Sequence, residues 1–479
     1  MKTSEALNKC DVIFNPLIFK ICMLVMTLFT AIPFVHIYIG KYVKVFLAYG
    51  ILSVIYLVFR RGIRSVLKDK LGLLLLGFCA SYAVTVILNR SSHFFENTNA
   101  LIYMAVFFLL FFIFTSKKET DIIKEFEVLS GIVLVITFAF AIINFFMFAF
   151  KVGGFYEVNG QPMYYGMYDN RLWGLYNANT NSMICDISIL LSLGFILNKG
   201  YKRCIKVLCI INASFQYICL ILTGSRASLY GLYMIVALII FLTVVKYDYK
   251  NRAKHYLRSL SAAVLSVVVL ACANYFVRLT FPYLPAVCSN IKLIFSSDEE
   301  EREFVFEKYD LTRMEEVEER DGGIFNGRMD LWKAGFATFK KSPVFGIGRE
   351  NIYEFAKGEL EGEKWSESLK VGGLHNIYIT ILVSSGIIGF LLMAVFAVLS
   401  LFKMVKSLFI KGQCNSWYII SFTMIILFYI TEFVEARILY QVGVFYVIFW
   451  IYLGLAYALA SSTPNKARHI NEHSLHSEQ

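Results

Sequence analysis

Charge is scarce in this chain. Of its 479 residues only 17% are charged, against about 25% in an average soluble domain. Proline is scarcer still, with 7 residues, so little interrupts long helices. Cysteine is present, but most copies (Cys22, Cys79, Cys185, Cys209, Cys219 and Cys272) lie inside apolar stretches. The one long polar segment holds Cys288 alone, so it folds without an internal disulfide. No CxxC or Cys/His spacing occurs, which excludes the common zinc sites, and neither a metal nor a cofactor is expected. Positive charge exceeds negative by 11, yet it is spread over short loops, which argues against nucleic acid as a partner.

What fills the space is apolar. Hydrophobic residues make up 58%, with 44 phenylalanines and 29 tyrosines, a composition of long apolar helices with aromatic belts. A helix needs roughly 20 apolar residues to cross the hydrocarbon core. Such stretches fall at about 17–36, 43–59, 71–89, 100–115, 128–150, 180–198, 204–223, 227–245, 259–277, 375–402, 415–431 and 438–459. The expected fold is therefore all-α: a polytopic transmembrane bundle of about twelve spans. The domains follow as spans over 1–277, a large helical extracytoplasmic loop over 278–374, spans over 375–459 and a cytoplasmic tail over 460–479. The first apolar stretch is too long for a signal-peptide core and lacks a cleavage site, so no cleavable signal is expected.

Lysine and arginine concentrate in alternate loops, such as Arg60 to Arg64, Lys199 to Lys206 and Lys403 to Lys411. By the positive-inside rule these loops and both termini are cytoplasmic. The long polar segment, the loop from Lys151 to Thr180 and the turn from Gly224 to Ala227 then face outward. Arg171, Arg226 and Arg437 stand on this sparse side, where an arginine either snorkels to lipid phosphate or has work to do.

The polar segment has two halves. Residues 298–321 are strongly acidic and read as a solvated helical face, with no metal-ligand geometry of their own. The second half runs from Asn326, a plausible N-cap, through Arg328 and Trp332 to Phe339 and stops at Ser342-Pro343. Helical spacing puts Arg328, Trp332, Gly335 and Phe339 on one face. Arg328 in the first turn suits an anion; alternatively Trp332 and Phe339 simply dock the helix. Gly346-Ile347-Gly348 has no strand–GxGxxG–helix context for a nucleotide. It reads as a tight turn back toward the membrane.

Four pieces converge on the outer face: Arg171 just before a span, Arg226 in a turn between spans, Arg328, and His375 at the start of a span. Guanidinium groups bind phosphate oxygens in pairs and stay charged at all relevant pH. Histidine can accept a proton near neutrality. Together they are equipment for attack on a sugar–pyrophosphate bond, with arginines holding the leaving group. His375 also fits the plainer role of an interface or capping residue. Glu432, Glu435 and Arg437 form either a local ion pair or a further edge of the same site.

These residues resemble the O-antigen ligase and O-antigen/capsule polymerase superfamily. The features, in order, are Arg171-x-x-Gly174 with Asn177 and Asn179, Thr223-x-Ser225-Arg226, Arg328-x-x-x-Trp332 running to Pro343-x-Phe345-Gly346-x-Gly348, and His375-Asn376 followed by Gly386-x-x-Gly389. They cover roughly residues 165–395, about half the chain. The resemblance implies a glycosyltransferase that uses undecaprenyl-pyrophosphate-linked oligosaccharide at the outer face of the bacterial cytoplasmic membrane. It assigns catalysis to His375, Arg226 and Arg328, and substrate binding to Arg171, Arg226, Arg328, Trp332 and Asn376. The acidic stretch lies outside the family pattern.

A repeat-unit polymerase making capsule, O-antigen or exopolysaccharide is favoured, since the Lys-, Ile-, Phe- and Tyr-rich composition suits bacteria without a lipid A–core acceptor. The alternative within the class is ligase-type transfer to another acceptor. A flippase or transporter is the alternative from a different class, but duplicated halves and intramembrane charges, expected of carriers, are not conspicuous. Membrane lipid is an expected partner, with flippase and chain-length regulator proteins as further candidates.

Overall fold

The computed structural model describes residues 10–116, 118–158, 161–246, 252–294, 307–311, 328–360, 368–370, 372–409 and 415–462. Nine apolar helices come first: α1 (Cys10–Thr30), α2 (Pro33–Arg61), α3 (Lys70–Leu88), α4 (Phe94–Ile113), α5 (Glu119–Ala149), α6 (Ala178–Leu197), α7 (Arg203–Leu222), α8 (Arg226–Val245) and α9 (His255–Ile291). A short amphipathic helix follows, α10 (Arg328–Phe339). The chain ends in α11 (Ile377–Phe409), α12 (Ser416–Thr431) and α13 (Val444–Ser461). Among the described residues, 11 helices are long and apolar enough to cross a membrane; α12 is also apolar but shorter, at 16 residues. Each of the twelve expected spans thus has its helix. The ninth runs beyond its expected end at 277, because apolar residues continue through Pro282 to Ile291.

The core forms around α13. Trp450, Tyr446 and Tyr452 are essentially inaccessible, and the helix is apolar all round, as a helix enclosed by neighbours must be. Several polar residues inside the bundle satisfy one another. Asn212 donates to Ser188 and Ser192 Oγ, and Gln216 donates to the Thr137 carbonyl. Lys20 reaches Glu125 at 2.8 Å with its side chain fully buried. These charges, unnoticed in the sequence, are held by each other and by Thr115.

Two departures from a plain bundle shape one of its ends. First, the loop after α5 is not irregular. It forms a three-stranded antiparallel sheet of β1 (Gly153–Val158), β2 (Gln161–Tyr168) and β3 (Arg171–Gly174). Asn144 of α5 ties this sheet down. Its side-chain oxygen accepts the Leu175 N–H at 2.9 Å, and its amide donates to Asn181 of α6 at 3.0 Å. Gly174, at φ 65, lies directly against Asn144, where no side chain would fit.

Second, α11 is broken at Gly386, whose φ is 64 and ψ is −172. Residues 343–348 fill the break. Ile347 and Gly348 N–H groups donate to the Val383 and Ser384 carbonyls, and Ile387 N–H donates to the Pro343 carbonyl. The freed backbone groups of α11 are thereby satisfied by protein, the condition for irregular backbone inside a membrane bundle. Thr85 of α3 and Asn89, just past its end, donate to the Phe345 and Gly346 carbonyls. The Gly346–Gly348 turn therefore does more than return the chain; it plugs a helix.

Candidate active site

His375 precedes α11 and has φ 46, a left-handed conformation uncommon outside glycine and characteristic of functional positions. Its neighbours impose it. Gly373 turns at φ 68. Asn376 caps α11 by accepting the Ile379 N–H at 3.0 Å, and its amide donates to the Phe433 carbonyl at 3.0 Å. The imidazole lies over Gly372, and a side chain there would collide with its Nε2 edge.

The centre of the site is Glu435, in the turn between α12 and α13. Its Oε2 lies 3.5 Å from His375 Nδ1, and its Oε1 lies 3.7 Å from Arg328 Nη2. Asn179 of α6 also donates to Oε1, at 3.4 Å. The same Asn179 accepts from Arg171 Nη2 at 3.2 Å, while Arg171 Nε donates to the Thr223 carbonyl at 2.7 Å. One carboxylate thus collects three residues from separate stretches of chain. Burial opposes its charge, but Arg437, His375 and Arg328 outweigh burial and hold it down to about 2.

The last outer turn divides its labour. Glu432, fully buried, binds Arg437 twice, through its backbone N–H at 2.6 Å and Nε at 3.2 Å. Burial pushes the Glu432 carboxyl up, although Arg437 pulls the other way. Glu432 and Arg437 are a local pair that shapes the turn. Glu435, given no higher rank than these by the sequence, is the one that meets His375.

Arg226 is placed differently. It is exposed and lines a cavity of about 670 Å³ together with Arg278, Lys308, Tyr309 and Asp310. His375 and Arg328 do not line this cavity. The two regions meet at Gly224, which lines the cavity and packs against the Arg171 side chain. Arg278 and Lys308 are site residues that sequence reading missed. Both lie at stretches assigned to loop, and only the chain's path brings them opposite Arg226.

Two expected substrate contacts are engaged in the fold. Asn376 is 5% exposed, and its amide is engaged in the fold next to His375. Trp332 packs with Phe339 against the cluster of Leu331, Ile352 and Leu374, which is the docking alternative. The buried face of α10 is Leu331, Ala334, Gly335 and Thr338, rotated from the expected stripe. The proposed N-cap Asn326 and most of the acidic stretch lie outside the described residues. No group of three or more metal-ligating side chains occurs among the described residues.

The polytopic helical bundle thus gathers a histidine, a carboxylate and arginines at one end. Residues 210–394 match the O-antigen ligase family, a stretch that includes Arg226, Arg328, His375 and the break at Gly386. The chain is similar to an uncharacterized protein of Haemophilus influenzae, 22% identical over 239 residues, or 48% of this chain and 51% of that protein. It is also similar to the exopolysaccharide production protein ExoQ of Rhizobium meliloti, 30% identical over 130 residues, or 26% of this chain and 29% of that protein. The chain thus spans about half or less of the curated relatives it matches. The resemblance to the O-antigen ligase and polymerase superfamily is borne out. The protein is an integral membrane protein, and the matches support a function of the ligase and polymerase type.

Proposed function

We propose that this protein polymerises undecaprenyl-pyrophosphate-linked repeat units at the outer face of the bacterial cytoplasmic membrane, with both termini in the cytoplasm. The observation that supports this most is Glu435 joining His375 to Arg328 beside a cation-lined cavity. Arg226, Arg278 and Lys308 suit the pyrophosphate of the donor. Arg328 and Arg171 suit the charge that develops as it leaves.

Glu435, ionised and 3.5 Å from His375 Nδ1, keeps the ring proton on that nitrogen. That leaves Nε2 as the base, since the partner of one ring nitrogen sets the state of the other. His375 Nε2 accepts the proton of an acceptor sugar hydroxyl as that oxygen bonds to the donor's anomeric carbon. The bond from that carbon to the pyrophosphate oxygen breaks, and the lipid pyrophosphate departs with the electron pair. The proton passes from His375 to solvent.

The deciding experiment is the surface-glycan profile of a deletion strain complemented with wild type or His375→Ala at matched expression. Long chains with wild type and single repeat units with the variant are expected. Long chains that stay on the lipid carrier without the protein identify a ligase. Repeat units accumulating on the cytoplasmic side identify a transporter.

A further inference from the structure

β2 bends at Gly166, φ 69, where a side chain would strike the Val152 carbonyl. The bend brings Tyr164 and Tyr168 face to face, with ring centroids 3.6 Å apart. Trp173 of β3 meets both edge-on, at 5.6 Å and 5.3 Å. Phe155 of β1 adjoins Tyr164 at 6.1 Å. Phe155 is 63% exposed and Tyr168 is 38% exposed, so the cluster is open to its surroundings. On β3, Trp173 stands two residues from Arg171, roughly 7 Å along a strand, and Arg171 is bonded through Asn179 to Glu435.

We infer that Phe155, Tyr164, Tyr168 and Trp173 form a sugar-binding platform that seats a pyranose ring of the glycan next to the reaction centre. The inference rests on the proposed function for its choice of ligand. Aromatic faces carry negative charge density and prefer partially positive C–H edges, which the axial face of a pyranose presents. Continuity with Arg171 favours the glycan over bulk lipid, the other natural neighbour of an aromatic belt.

The test uses full-length protein in nanodiscs and the repeat-unit oligosaccharide freed from the host's own polysaccharide by mild acid. Intrinsic fluorescence is titrated for wild type, Trp173→Phe, Tyr168→Ala, Tyr168→Phe and Phe155→Ala, each first checked for an unchanged melting temperature. A saturable signal that Trp173→Phe removes, that Tyr168→Ala and Phe155→Ala weaken at least about tenfold, and that Tyr168→Phe preserves is expected. In turnover, Tyr168→Ala raises KM for the acceptor with kcat little changed. Absence of a wild-type signal, or one unaltered by Trp173→Phe, overturns the platform. Quenching of Trp173 by brominated lipid also overturns it, since the cluster then sits in acyl chains. Arg328→Ala separates the two proposals: it retains oligosaccharide binding while losing product.

Discussion

His375 Nδ1 and Glu435 Oε2 lie 3.5 Å apart although they belong to turns on different helices. The backbone N–H of Ile377 donates to the Glu432 carbonyl at 3.0 Å, which locks the two turns together. The histidine is therefore held from both sides, by the cap of its own helix and by the turn between α12 and α13.

Glu435→Ala removes that setting and leaves Arg328 and His375 without their shared partner. Product formation falls on the order of 100-fold or more, the usual scale for losing an acid–base element. Glu435→Gln retains volume and loses charge, so it lies between. Quantified polymer per unit of inserted protein gives the answer. Wild-type levels in both variants would show that Glu435 is only structural.

The cavity makes a charge prediction. Arg226→Ala and Arg328→Ala nearly abolish product while the protein still inserts. Arg226→Lys and Arg328→Lys are also impaired, because lysine lacks the planar fork. Arg278→Ala and Lys308→Ala raise the apparent KM for the lipid-linked donor. Single-turnover kinetics with defined donor measure each, and unaltered KM in the last two would remove those cations from the donor site.

Glu435 also predicts an acid dependence. Its carboxyl sits at about 2 in the folded protein, against about 4.3 for an unperturbed glutamate. The folded value is the lower one, so the ionised group adds stability above about pH 4.3, and this gain is lost as the pH falls toward 2. The melting temperature of wild type should therefore exceed that of Glu435→Gln at neutral pH, and the gap should close in acid. A gap that is constant with pH would contradict the ionised hub.

Gly386 and Gly346 should not tolerate alanine. Each has positive φ, and a side chain at either would strike backbone of the other's segment. Forcing such contacts costs about 1–3 kcal/mol or more, seen as lower yield and melting temperature. Gly131→Ala in α5, with nothing within 4 Å, should be neutral or slightly stabilising. Equal losses at all three positions would show that the plugged break is not special.

The buried pair of Lys20 and Glu125 predicts non-additivity. Lys20→Met alone leaves a buried carboxylate unpaired and should cost about 3–5 kcal/mol. Adding Glu125→Gln should recover much of that. Thermal unfolding of the single and double variants in detergent checks it, and simple additivity would mean that the two charges are not coupled.

Hydropathy alone carried the bundle, since the oil-like core of a membrane permits long apolar helices and little else. That constraint is local, and it is written residue by residue. The arginines and the histidine were legible for a related reason: charge on the sparse side of a membrane protein stands out against its surroundings. The β-sheet was hidden because its strands are short and the bend at Gly166 depends on a clash with Val152. The rank of Glu435 was hidden too. Beside Glu432 and Arg437 it reads as one more charge in a turn, and nothing in the spacing says which carboxylate faces inward.

The sequence by itself determined the class, the helix order and the residue types available to the site. The tertiary structure decided which of them meet. It separated Arg226, with Arg278 and Lys308, from the cluster of Arg171, Arg328, His375 and Glu435. It also set Trp332 against a small apolar cluster and made Asn376 the cap of α11. The physical reason is that hydrophobicity acts on each helix separately, whereas a site is made by the packing angles and turns that set distant segments against one another.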